Sequence, residues 1–496
     1  MTDLLHDLLD RAAARLPDAP ALTCNETTLT WAGLAEGSRR AAARLRARGV
    51  RRGDRVVVIA PNHPSVALLT YACSRLGAVF VVLHEQVRGP GLVHVLTDAE
   101  PTLLVTDAPA ARWEAAELGI AVLGVDEAAG GDPTAEEVAA LAELPGCRAL
   151  GVDPLCLIYT SGSTGMPKAV VSTHAQLVFA ARAIQSRLNY HAVDTVYIAL
   201  PLSFDYGLYQ LFLGALSGAH CWVGTSAEIG PGLLRNLRRS RATVLPAVPS
   251  LAENLARMLA RYGGDLPLRL ITNTGAAMQP ATLARLRELL PDLKVQLMFG
   301  LTECKRVAIM TPDEDLRRPG ACGLPLPGTE VLVLDDDGEP VAPGVIGEIV
   351  VRGPHVMSGY WRRPELSQQR FPRREGLFPQ LNSGDYGWLD ADGYLYFSGR
   401  RDDLYKAHGF RVSATEVEAA ACRLPGIEAA AVLPPTAQRA EPLLFVVGKL
   451  TGAEVLERLR AEMEPYKVPP RCTVVEAMPL TGNGKTDRKA LAVTYG

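Results

Sequence analysis

The stretch Leu155-Cys-Leu-Ile-Tyr-Thr-Ser-Gly-Ser-Thr-Gly-Met-Pro-Lys168 decides most of what this sequence predicts. Its first five residues are apolar and typical of a buried strand. Gly162 and Gly165 let the backbone behind that strand approach a ligand closely, and Lys168 adds a cation. Hydroxyl donors come from Thr160, Ser161, Ser163 and Thr164. Such a nest of amides, hydroxyls and an ammonium suits phosphate oxygens.

The spacing of this loop differs from that of the common nucleotide loop Gly-x-x-x-x-Gly-Lys-Ser/Thr. Here the lysine follows Pro167, and no serine or threonine comes after it. A flexible polar surface turn is the alternative interpretation. The buried strand directly before the loop argues against that alternative.

Composition limits the classes of protein to consider. The chain has 496 residues, enough for two or three packed units. Hydrophobic residues make up 48% and charged residues 21%, as in a soluble globular protein. The net charge of -3 gives no reason to expect nucleic acid or an anionic membrane as a partner. Residues 44–55 are rich in arginine, and we expect a solvated helix end and turn there.

The cysteines and the N-terminal residues indicate a cytoplasmic protein. The nine cysteines include no Cys-x-x-Cys pair, which favours reduced thiols over a disulfide framework or a metal cluster. The acidic, amphipathic N-terminus lacks the basic start and apolar run of a signal peptide. No apolar run reaches the roughly 20 residues of a membrane-spanning helix, so we expect no membrane span.

Strand-like runs and helical patterns alternate along most of the chain. Predicted strands cover residues 55–60, 79–83, 102–106, 155–159, 195–200, 268–272 and 294–298, and predicted helices include 250–261 and 279–290. This alternation predicts an α/β fold with mostly parallel sheets covered by helices. From about residue 329, short strands at 330–335, 346–352 and 393–398 indicate a smaller β unit.

A further break follows at residues 399–406. Ser413-Ala-Thr-Glu416 has the spacing of a capping box and opens a predicted helix. Strands at 429–433 and 443–447 and a helix at 453–463 complete a small α+β domain. We therefore predict a large N-terminal domain, residues 1–400, made of two sheets and the small β unit. A small mobile C-terminal domain, residues 401–496, follows it.

Five motifs together resemble one known family. They are the loop that ends at Lys168, Phe299-Gly-Leu-Thr-Glu303, Ser383-Gly-Asp385, Gly399-Arg-Arg-Asp402 and Pro479-Leu-Thr-Gly-Asn-Gly-Lys485. In this order they resemble the adenylate-forming superfamily of acyl-CoA synthetases, adenylation domains of nonribosomal peptide synthetases, and firefly luciferases. The resemblance spans nearly the whole chain. Ala169 departs from it, since glycine usually follows the lysine.

The resemblance implies an AMP-forming acid–thiol ligase that uses ATP and Mg²⁺ to make an acyl-adenylate. By the same resemblance, Lys485 is the catalytic lysine, Thr302 binds phosphate, and Glu303 with Thr160 holds the metal. Phe299 covers the adenine, in place of a commoner tyrosine. The implied nucleotide contacts further include Gly275, Ala276, Ala277, Gly300, Asp385 and Arg400, of which the last two meet the ribose.

Two further positions gain roles from the family alone. Asp402 falls at the hinge about which the C-terminal domain rotates between the two half-reactions. Gly409 would line the tunnel of the incoming thiol, where a side chain would obstruct entry. Rotation of this kind is a common way to separate catalytic steps.

Pro201-Leu-Ser-Phe-Asp-Tyr-Gly207 is the segment most informative about the acid. Asp205 resembles the aspartate with which amino-acid adenylation domains bind the substrate's α-amino group. The other positions that match the pocket are Tyr206, Tyr209, Ser250, Thr272, Thr274, Met298, Arg306 and Val307. This polar set favours a small amino acid or an aryl acid over a fatty acid. Arg306 leaves two alternatives, because it either neutralises Asp205 or binds a second acid group of the substrate.

The acceptor of the acyl group is also open. No phosphopantetheine attachment motif follows Lys485, so we expect a free-standing enzyme that serves a separate carrier protein, as in secondary-metabolite biosynthesis. Coenzyme A is the alternative thiol. Two further hypotheses are an adenylate on another oxyanion with an amine acceptor, and a nucleotide-binding protein that has lost catalysis. Retention of Glu303 and Lys485 argues against the last.

Overall fold

The protein divides into two compact units, which are described separately. In the computed structural model they are Met1–Val331 with Val351–Asn382, and Leu332–Val350 with Ser383–Gly496. The structure describes residues 3–130, 134–143, 149–161, 167–225, 232–374, 378–400, 404–407, 410–436, 439, 441–463, 465–480 and 486–495. The predicted boundary between residues 400 and 401 stays a prediction.

Helices and strands alternate along most of the chain. The helices are α1 (Leu5–Arg15), α2 (Trp31–Ala47), α3 (Pro64–Leu76), α4 (Gly89–Ala99), α5 (Pro109–Glu117), α6 (Val125–Ala129), α7 (Ala135–Glu143), α8 (His174–Leu188), α9 (Asp205–Ser217), α10 (Leu233–Ser240), α11 (Pro249–Tyr262), α12 (Pro280–Leu289), α13 (Pro364–Arg370), α14 (Ala414–Arg423), α15 (Gly452–Glu462) and α16 (Arg488–Tyr495). The strands are β1 (Pro20–Cys24), β2 (Thr27–Thr30), β3 (Arg55–Ile59), β4 (Val79–Leu83), β5 (Leu103–Thr106), β6 (Ala121–Leu123), β7 (Pro154–Ser161), β8 (Pro167–Thr173), β9 (Thr195–Ile198), β10 (His220–Val223), β11 (Val244–Ala247), β12 (Leu270–Asn273), β13 (Lys294–Phe299), β14 (Ala308–Ile309), β15 (Ala321–Pro325), β16 (Glu330–Leu334), β17 (Gly347–Arg352), β18 (Gly359–Tyr360), β19 (Arg373–Arg374), β20 (Phe378–Leu389), β21 (Leu395–Arg400), β22 (Leu404–Ala407), β23 (Phe410–Ser413), β24 (Ile427–Leu433), β25 (Leu443–Gly448) and β26 (Arg471–Val474).

Two sheets organise the first unit. One runs in the order β15-β14-β13-β12-β11-β9-β10-β1-β2, and its strands from β13 to β1 are parallel. The other runs in the order β18-β8-β7-β4-β3-β5-β6, with β7, β8 and β18 antiparallel at one edge. The α/β class and the two mostly parallel sheets predicted from the sequence are confirmed.

Helix α3 is buried on all sides in the core of the first unit. Every one of its residues is buried, and they share a core cluster with strands of both sheets, such as β3 and β9. A helix that is buried all round needs apolar neighbours on every side. Pro64 opens the first turn, and Gly77 closes the helix in a left-handed conformation with φ of 66°.

The arginine-rich region at residues 44–55 is less solvated than predicted, and Arg44 shows this most clearly. Arg44 is buried, and its Nε donates to Glu137 Oε1 over 2.7 Å, which links α2 to α7. The acid lies 93 positions later in the chain. Local sequence therefore gave no sign of this partner, while Arg51 and Arg52 are exposed as expected.

Besides the paired strands β16, β17, β20 and β21, the described residues of the second unit form two small sheets. Its strands β24, β25 and β26 form one of them, with β24 and β25 antiparallel and β25 and β26 parallel, and β22 pairs with β23 in a hairpin. Helix α14 begins where the capping pattern predicts, because the Ser413 hydroxyl accepts from the Glu416 amide over 3.3 Å. Val417, Leu444 and Val455 are buried in the hydrophobic core of the second unit.

The sequence predicted neither a membrane-spanning helix nor a disulfide framework, and the described residues can be compared with both expectations. No helix among them is long and apolar enough to cross a membrane. The cysteines that the structure describes carry free thiols, and five of these are buried in the first unit: Cys24, Cys73, Cys156, Cys221 and Cys304. A framework of disulfides is thus absent from this part of the chain.

Candidate active site

The carboxyl ends of four strands in the first sheet carry most of the predicted site. Strands β9, β11, β12 and β13 are parallel neighbours. The segments that follow them contain Asp205, Ser250, Gly275 and Glu303. Parallel strands place their carboxyl ends at one edge of the sheet, where ligands bind in open α/β folds. Glu303 therefore follows a strand at such an edge.

The loop predicted to bind phosphate follows β7, which pairs antiparallel with β8. Thr160 lies opposite Lys168 in this ladder, and its hydroxyl donates to the Lys168 carbonyl over 3.4 Å. Both residues are half-buried. Ser161 is described through its backbone only, and Gly162, Ser163, Thr164 and Gly165 lie outside the described residues. Lys168 is thus held at the base of the loop, on a strand.

Glu303 lies in a tight turn between β13 and β14. Its carboxylate is buried and accepts a hydrogen bond from Tyr360 Oη over 2.6 Å. Its backbone carbonyl accepts from the Met357 amide over 2.9 Å. Burial, and then the charge of Glu303, raise the pKa of Tyr360 far above its usual value, so the phenol keeps its proton and donates. The Lys168 ammonium lies 4.0 Å from the centre of the same ring.

The segment predicted to contact adenine follows β12. Asn273 and Thr274 are buried, and the Asn273 side-chain amide donates to the Ala247 carbonyl over 3.2 Å. The next three residues, Gly275, Ala276 and Ala277, are exposed, and Gly275 has φ of 92°. A left-handed residue of this kind bends the backbone away from the sheet and leaves its polar groups open to a ligand.

Phe299 and Thr302 also border this edge. Both are half-buried, and the Phe299 carbonyl accepts from the Val307 amide over 2.8 Å, which closes the turn between them. Gly300 lies inside this turn. A Cβ at Gly300 would lie 2.1 Å from the Lys305 carbonyl oxygen, so only glycine allows this close approach.

A charged cluster is buried beside Asp205, in the first turn of α9. Asp205, Lys305 and Arg306 are 6%, 1% and 5% exposed. Lys305 Nζ lies 3.9 Å from Asp205 Oδ2. The Arg306 guanidinium lies over the Tyr206 ring at 4.8 Å and donates to the Lys305 carbonyl over 2.7 Å. The ion pair that the structure records for Asp205 is therefore with Lys305, while Arg306 faces an aromatic ring.

Lys305 is the residue that the sequence analysis missed. Its ammonium donates no hydrogen bond among the described contacts and lies 5.7 Å from the Tyr209 ring centre. Its φ of 67° is unusual for a residue with a side chain. The one available signal was a pair of adjacent cations, Lys305 and Arg306, at the entrance to an apolar strand.

The remaining pocket residues divide into two groups. Tyr206 Oη and Thr272 Oγ1 share a hydrogen bond of 2.7 Å, and burial raises the pKa of Tyr206 to about 12. Further buried positions are Tyr209, Thr274, Met298 and Val307. Ser250 is exposed in the first turn of α11, so its place in the pocket stays a prediction.

The predicted ribose contacts belong to the second unit. Asp385 on β20 is buried and lies directly opposite Arg400 on β21. Arg400 Nε lies 3.4 Å from Asp385 Oδ1, and the Arg400 side chain is 63% exposed. The two predicted ribose ligands thus form a cross-strand ion pair. Asp402, Gly409 and Lys485 lie outside the described residues.

The described residues suit ATP with magnesium better than a metal held by protein alone. They contain no group of three or more His, Cys, Asp or Glu side chains able to hold an ion. Magnesium is usually bound by one or two carboxylates together with substrate phosphates and water. Glu303 is a buried carboxylate that Tyr360 connects with Lys168, and it fits that pattern as a predicted ligand. Thr160, the second predicted ligand, carries a hydroxyl at the end of β7.

Comparison with known proteins agrees with this arrangement. Residues 9–361 match the AMP-binding enzyme family, and residues 416–485 match the C-terminal domain of AMP-binding enzymes. A feruloyl-CoA synthase of an Amycolatopsis species is 33% identical over 483 residues, which cover 96% of each chain. The structure of VinN with L-aspartate is 37% identical, with a TM-score of 0.72 over 80% of this chain and 99% of that one.

A third relative carries the nucleotide itself. The structure of O-succinylbenzoate coenzyme A synthetase from Bacillus subtilis, in complex with ATP and magnesium ion, is 26% identical. Its TM-score is 0.84, over 98% of this chain and 99% of that one. The fold of this relative and the two family matches agree. The chain therefore belongs to the AMP-binding enzymes, the adenylate-forming ligases that release AMP.

Proposed function

We propose that this protein uses ATP to adenylate a small amino acid that carries a second acid group. It then transfers the acyl group to the phosphopantetheine thiol of a separate carrier protein. The observation that carries the proposal is the buried cluster of Asp205, Lys305 and Arg306, whose members lie in the segments that follow β9 and β13. Its charges favour a substrate with both an ammonium and an extra carboxylate.

The charges in this cluster do not balance. Two cations accompany a single carboxylate, and the Lys305 ammonium donates no hydrogen bond among the described contacts. A buried charge without full compensation is costly, so a carboxylate on the ligand would stabilise it. Asp205 is a suitable partner for the ligand's ammonium. An amino acid with a neutral side chain would place its ammonium beside the cluster without a second carboxylate, since its one carboxylate reacts, and would leave the cluster less balanced.

The relatives support the same class of acid. VinN is 37% identical to this chain, and its structure was solved with L-aspartate, an amino acid with two carboxylates. This favours the second of the two alternatives for Arg306, a contact with a second acid group of the substrate. An aspartate-like molecule places an ammonium between two acid groups. One acid group would then lie near Lys305 and Arg306, and the other would react.

The reaction joins the substrate carboxylate to the α-phosphorus of ATP. A bond forms between the carboxylate oxygen and phosphorus, and the bond from phosphorus to pyrophosphate breaks. Bound magnesium would neutralise phosphate charge, with Glu303 and Thr160 as its protein ligands. Thr302 and Lys168 would bind phosphate oxygens, and Lys485 would hold the reacting carboxylate and the bridging oxygen. Phe299 would cover the adenine while Asp385 and Arg400 would bind the ribose.

Transfer to the thiol completes the cycle. The thiol sulfur attacks the acyl carbon, a thioester forms, and AMP leaves with the electrons of the broken bond. Rotation about Asp402 would bring the segment with Gly409 to the thiol. The free cysteines of the described chain support a cytoplasmic setting for this chemistry.

Exchange of labelled pyrophosphate into ATP tests the choice of acid. The panel comprises aspartate and its methylated analogues, asparagine, neutral amino acids and hydroxycinnamic acids. We expect the highest kcat/KM with an amino dicarboxylic acid. If kcat/KM for asparagine were as high as that for aspartate, the buried cations would have no role in recognising the second acid group.

A second candidate is a coenzyme A ligase for an aromatic acid. It is favoured by the 33% identity to a feruloyl-CoA synthase over 96% of each chain. Exchange with ferulate, together with formation of its coenzyme A thioester, would support this candidate. Incubation with coenzyme A and with a purified carrier protein, followed by mass measurement of each product, separates the two acceptors.

A further inference from the structure

Tyr360 is fixed rigidly at the edge of the second sheet. It lies on β18, which pairs antiparallel with β8, so that Tyr360 lies opposite Val170. Its amide donates to the Ser367 hydroxyl over 2.8 Å, and its ring packs edge-on against Phe371 at 5.5 Å. The residue is 4% exposed. Backbone pairing and packing together leave the ring little freedom.

This single side chain contacts two parts of the candidate site. Tyr360 Oη donates to Glu303 Oε1 over 2.6 Å, and the Lys168 ammonium lies 4.0 Å from the centre of the ring. Glu303 follows β13 of the first sheet, whereas Lys168 lies on β8 of the second. Tyr360 thus connects the predicted metal ligand with the predicted phosphate cation, across two sheets.

The two contacts reinforce each other. A hydrogen bond to a carboxylate is charge-assisted and stronger than one between neutral groups. Donation of the phenolic proton towards Glu303 raises the electron density of the ring, and a richer ring attracts a cation more strongly. Carboxylate, phenol and ammonium therefore form one coupled series in which moving one member weakens its neighbour.

We propose that Tyr360 is a positioning residue that holds Glu303 and Lys168 ready for magnesium and the phosphates of ATP. The inference rests on the proposed function, which gives Glu303 and Lys168 these roles. The proposal assigns Tyr360 no direct contact with substrate or metal. It acts through the two residues that it holds, in the way that outer-shell partners orient metal ligands.

The test measures ATP binding by calorimetry, with excess magnesium and with a chelator. The quantity compared is the ratio of the dissociation constant without magnesium to that with magnesium. In Tyr360→Phe, which keeps the ring and loses the donor, we expect this ratio to fall about tenfold, as for other outer-shell partners of metal ligands. Affinity for magnesium-free ATP should stay within about twofold, since the contact of Lys168 with the ring remains.

A double-variant cycle locates the effect. In Glu303→Gln the magnesium-dependent ratio should already be low, and adding Tyr360→Phe should not lower it further. Tyr360→Leu also removes the aromatic ring that the Lys168 ammonium contacts. This variant should therefore weaken binding of magnesium-free ATP as well. Thermal unfolding of each variant confirms that it is folded before the comparison.

Tyr159→Phe is the matched control. Tyr159 Oη donates to the Asp98 carboxylate over 2.8 Å in the same unit, yet that acid has no role in the proposed site. This variant should leave the ratio unchanged. An unchanged ratio in Tyr360→Phe, or an additive loss in the double variant, would overturn the inference. Wild-type binding of ATP that is indifferent to magnesium would instead overturn the proposed function and the inference with it.

Discussion

Lys305 shows what single residues contribute to this protein. It combines nearly complete burial, a φ of 67° and an ammonium that donates no hydrogen bond within the described structure. Each of these features costs free energy, and such costs persist where the surrounding structure enforces them, often at functional sites. With Asp205 at 3.9 Å and Arg306 adjacent in sequence, the residue belongs to a buried charged cluster rather than to a surface ion pair.

Replacement of Lys305 by methionine tests the pocket at this scale. The change keeps the length of the side chain and removes its charge. We expect the preference for aspartate over asparagine, measured as the ratio of their kcat/KM values in pyrophosphate exchange, to fall at least about tenfold. The physical reason is the loss of a buried, charge-assisted contact with the second carboxylate, worth about 2 kcal/mol or more.

Lys294→Met is the control for this replacement. Lys294 also pairs with an aspartate, since its Nζ lies 2.9 Å from Asp313 Oδ2, but its side chain is 60% exposed. An exposed pair contributes little, so the preference for aspartate should be unchanged. If both variants shifted the preference equally, the effect would come from overall charge and not from the pocket.

The turn between β13 and β14 is the element that contains most of the charged residues of the candidate site. Residues 300–307 contain Glu303, Lys305 and Arg306, and the turn is closed by the Val307 amide, which donates to the Phe299 carbonyl. The Lys305 amide also donates to the Leu301 carbonyl over 2.6 Å. These bonds turn three charged side chains inward within four positions.

Gly300→Ala tests the turn. The new Cβ would meet the Lys305 carbonyl at 2.1 Å, so the backbone of Lys305 must move. We expect a loss of about 1–3 kcal/mol in the free energy of unfolding from this overpacking. Pyrophosphate exchange should fall at least about a hundredfold, as small displacements of positioned groups are costly.

Gly91→Ala is the matched control for this substitution. Gly91 lies in α4, and a Cβ there would meet nothing within 4 Å. The variant should be neutral or more stable by about 0.5–1 kcal/mol, since alanine favours a helix over glycine. Equal losses of exchange in both variants would show that glycine at 300 has no special role.

At the scale of the whole molecule, buried histidines couple stability to pH. Burial lowers the pKa of His174, His220 and His355 to about 4 in the first unit. His174 accepts from the Leu5 amide over 3.3 Å, which ties α1 to α8 through a neutral ring. Since the pKa of an unfolded histidine is about 6.5, the unfolded chain binds protons first as pH falls.

The stability of wild type should therefore be full above about pH 6.5 and decline towards pH 4, by up to about 3 kcal/mol for each histidine. His174→Gln retains an acceptor for the Leu5 amide but cannot be protonated. We expect its curve of unfolding free energy, measured with denaturant between pH 7 and 4, to be shallower than that of wild type. Parallel curves would show that His174 does not contribute to the decline.

The sequence alone determined those helices, strands and motifs that depend on interactions between neighbouring residues. The apolar run before Thr160 becomes β7, residues 79–83 form β4, and Ser413 caps α14, because strand burial and helix capping depend on neighbouring residues. The five motifs identified the family for the same reason, since each keeps its residues at short spacing. These parts of the fold and of the candidate site could be predicted from the amino-acid sequence alone.

Only the tertiary structure decided which distant groups meet. Glu137 pairs with Arg44 across 93 positions, and Tyr360 donates to Glu303 across 57. Asp205 and Lys305 are separated by a hundred residues of chain, yet the segments that follow β9 and β13 bring their charges to 3.9 Å, although β11 and β12 lie between those strands. Spacing along a sequence carries no information about such pairs, because sheet order and packing, rather than local propensity, place them together.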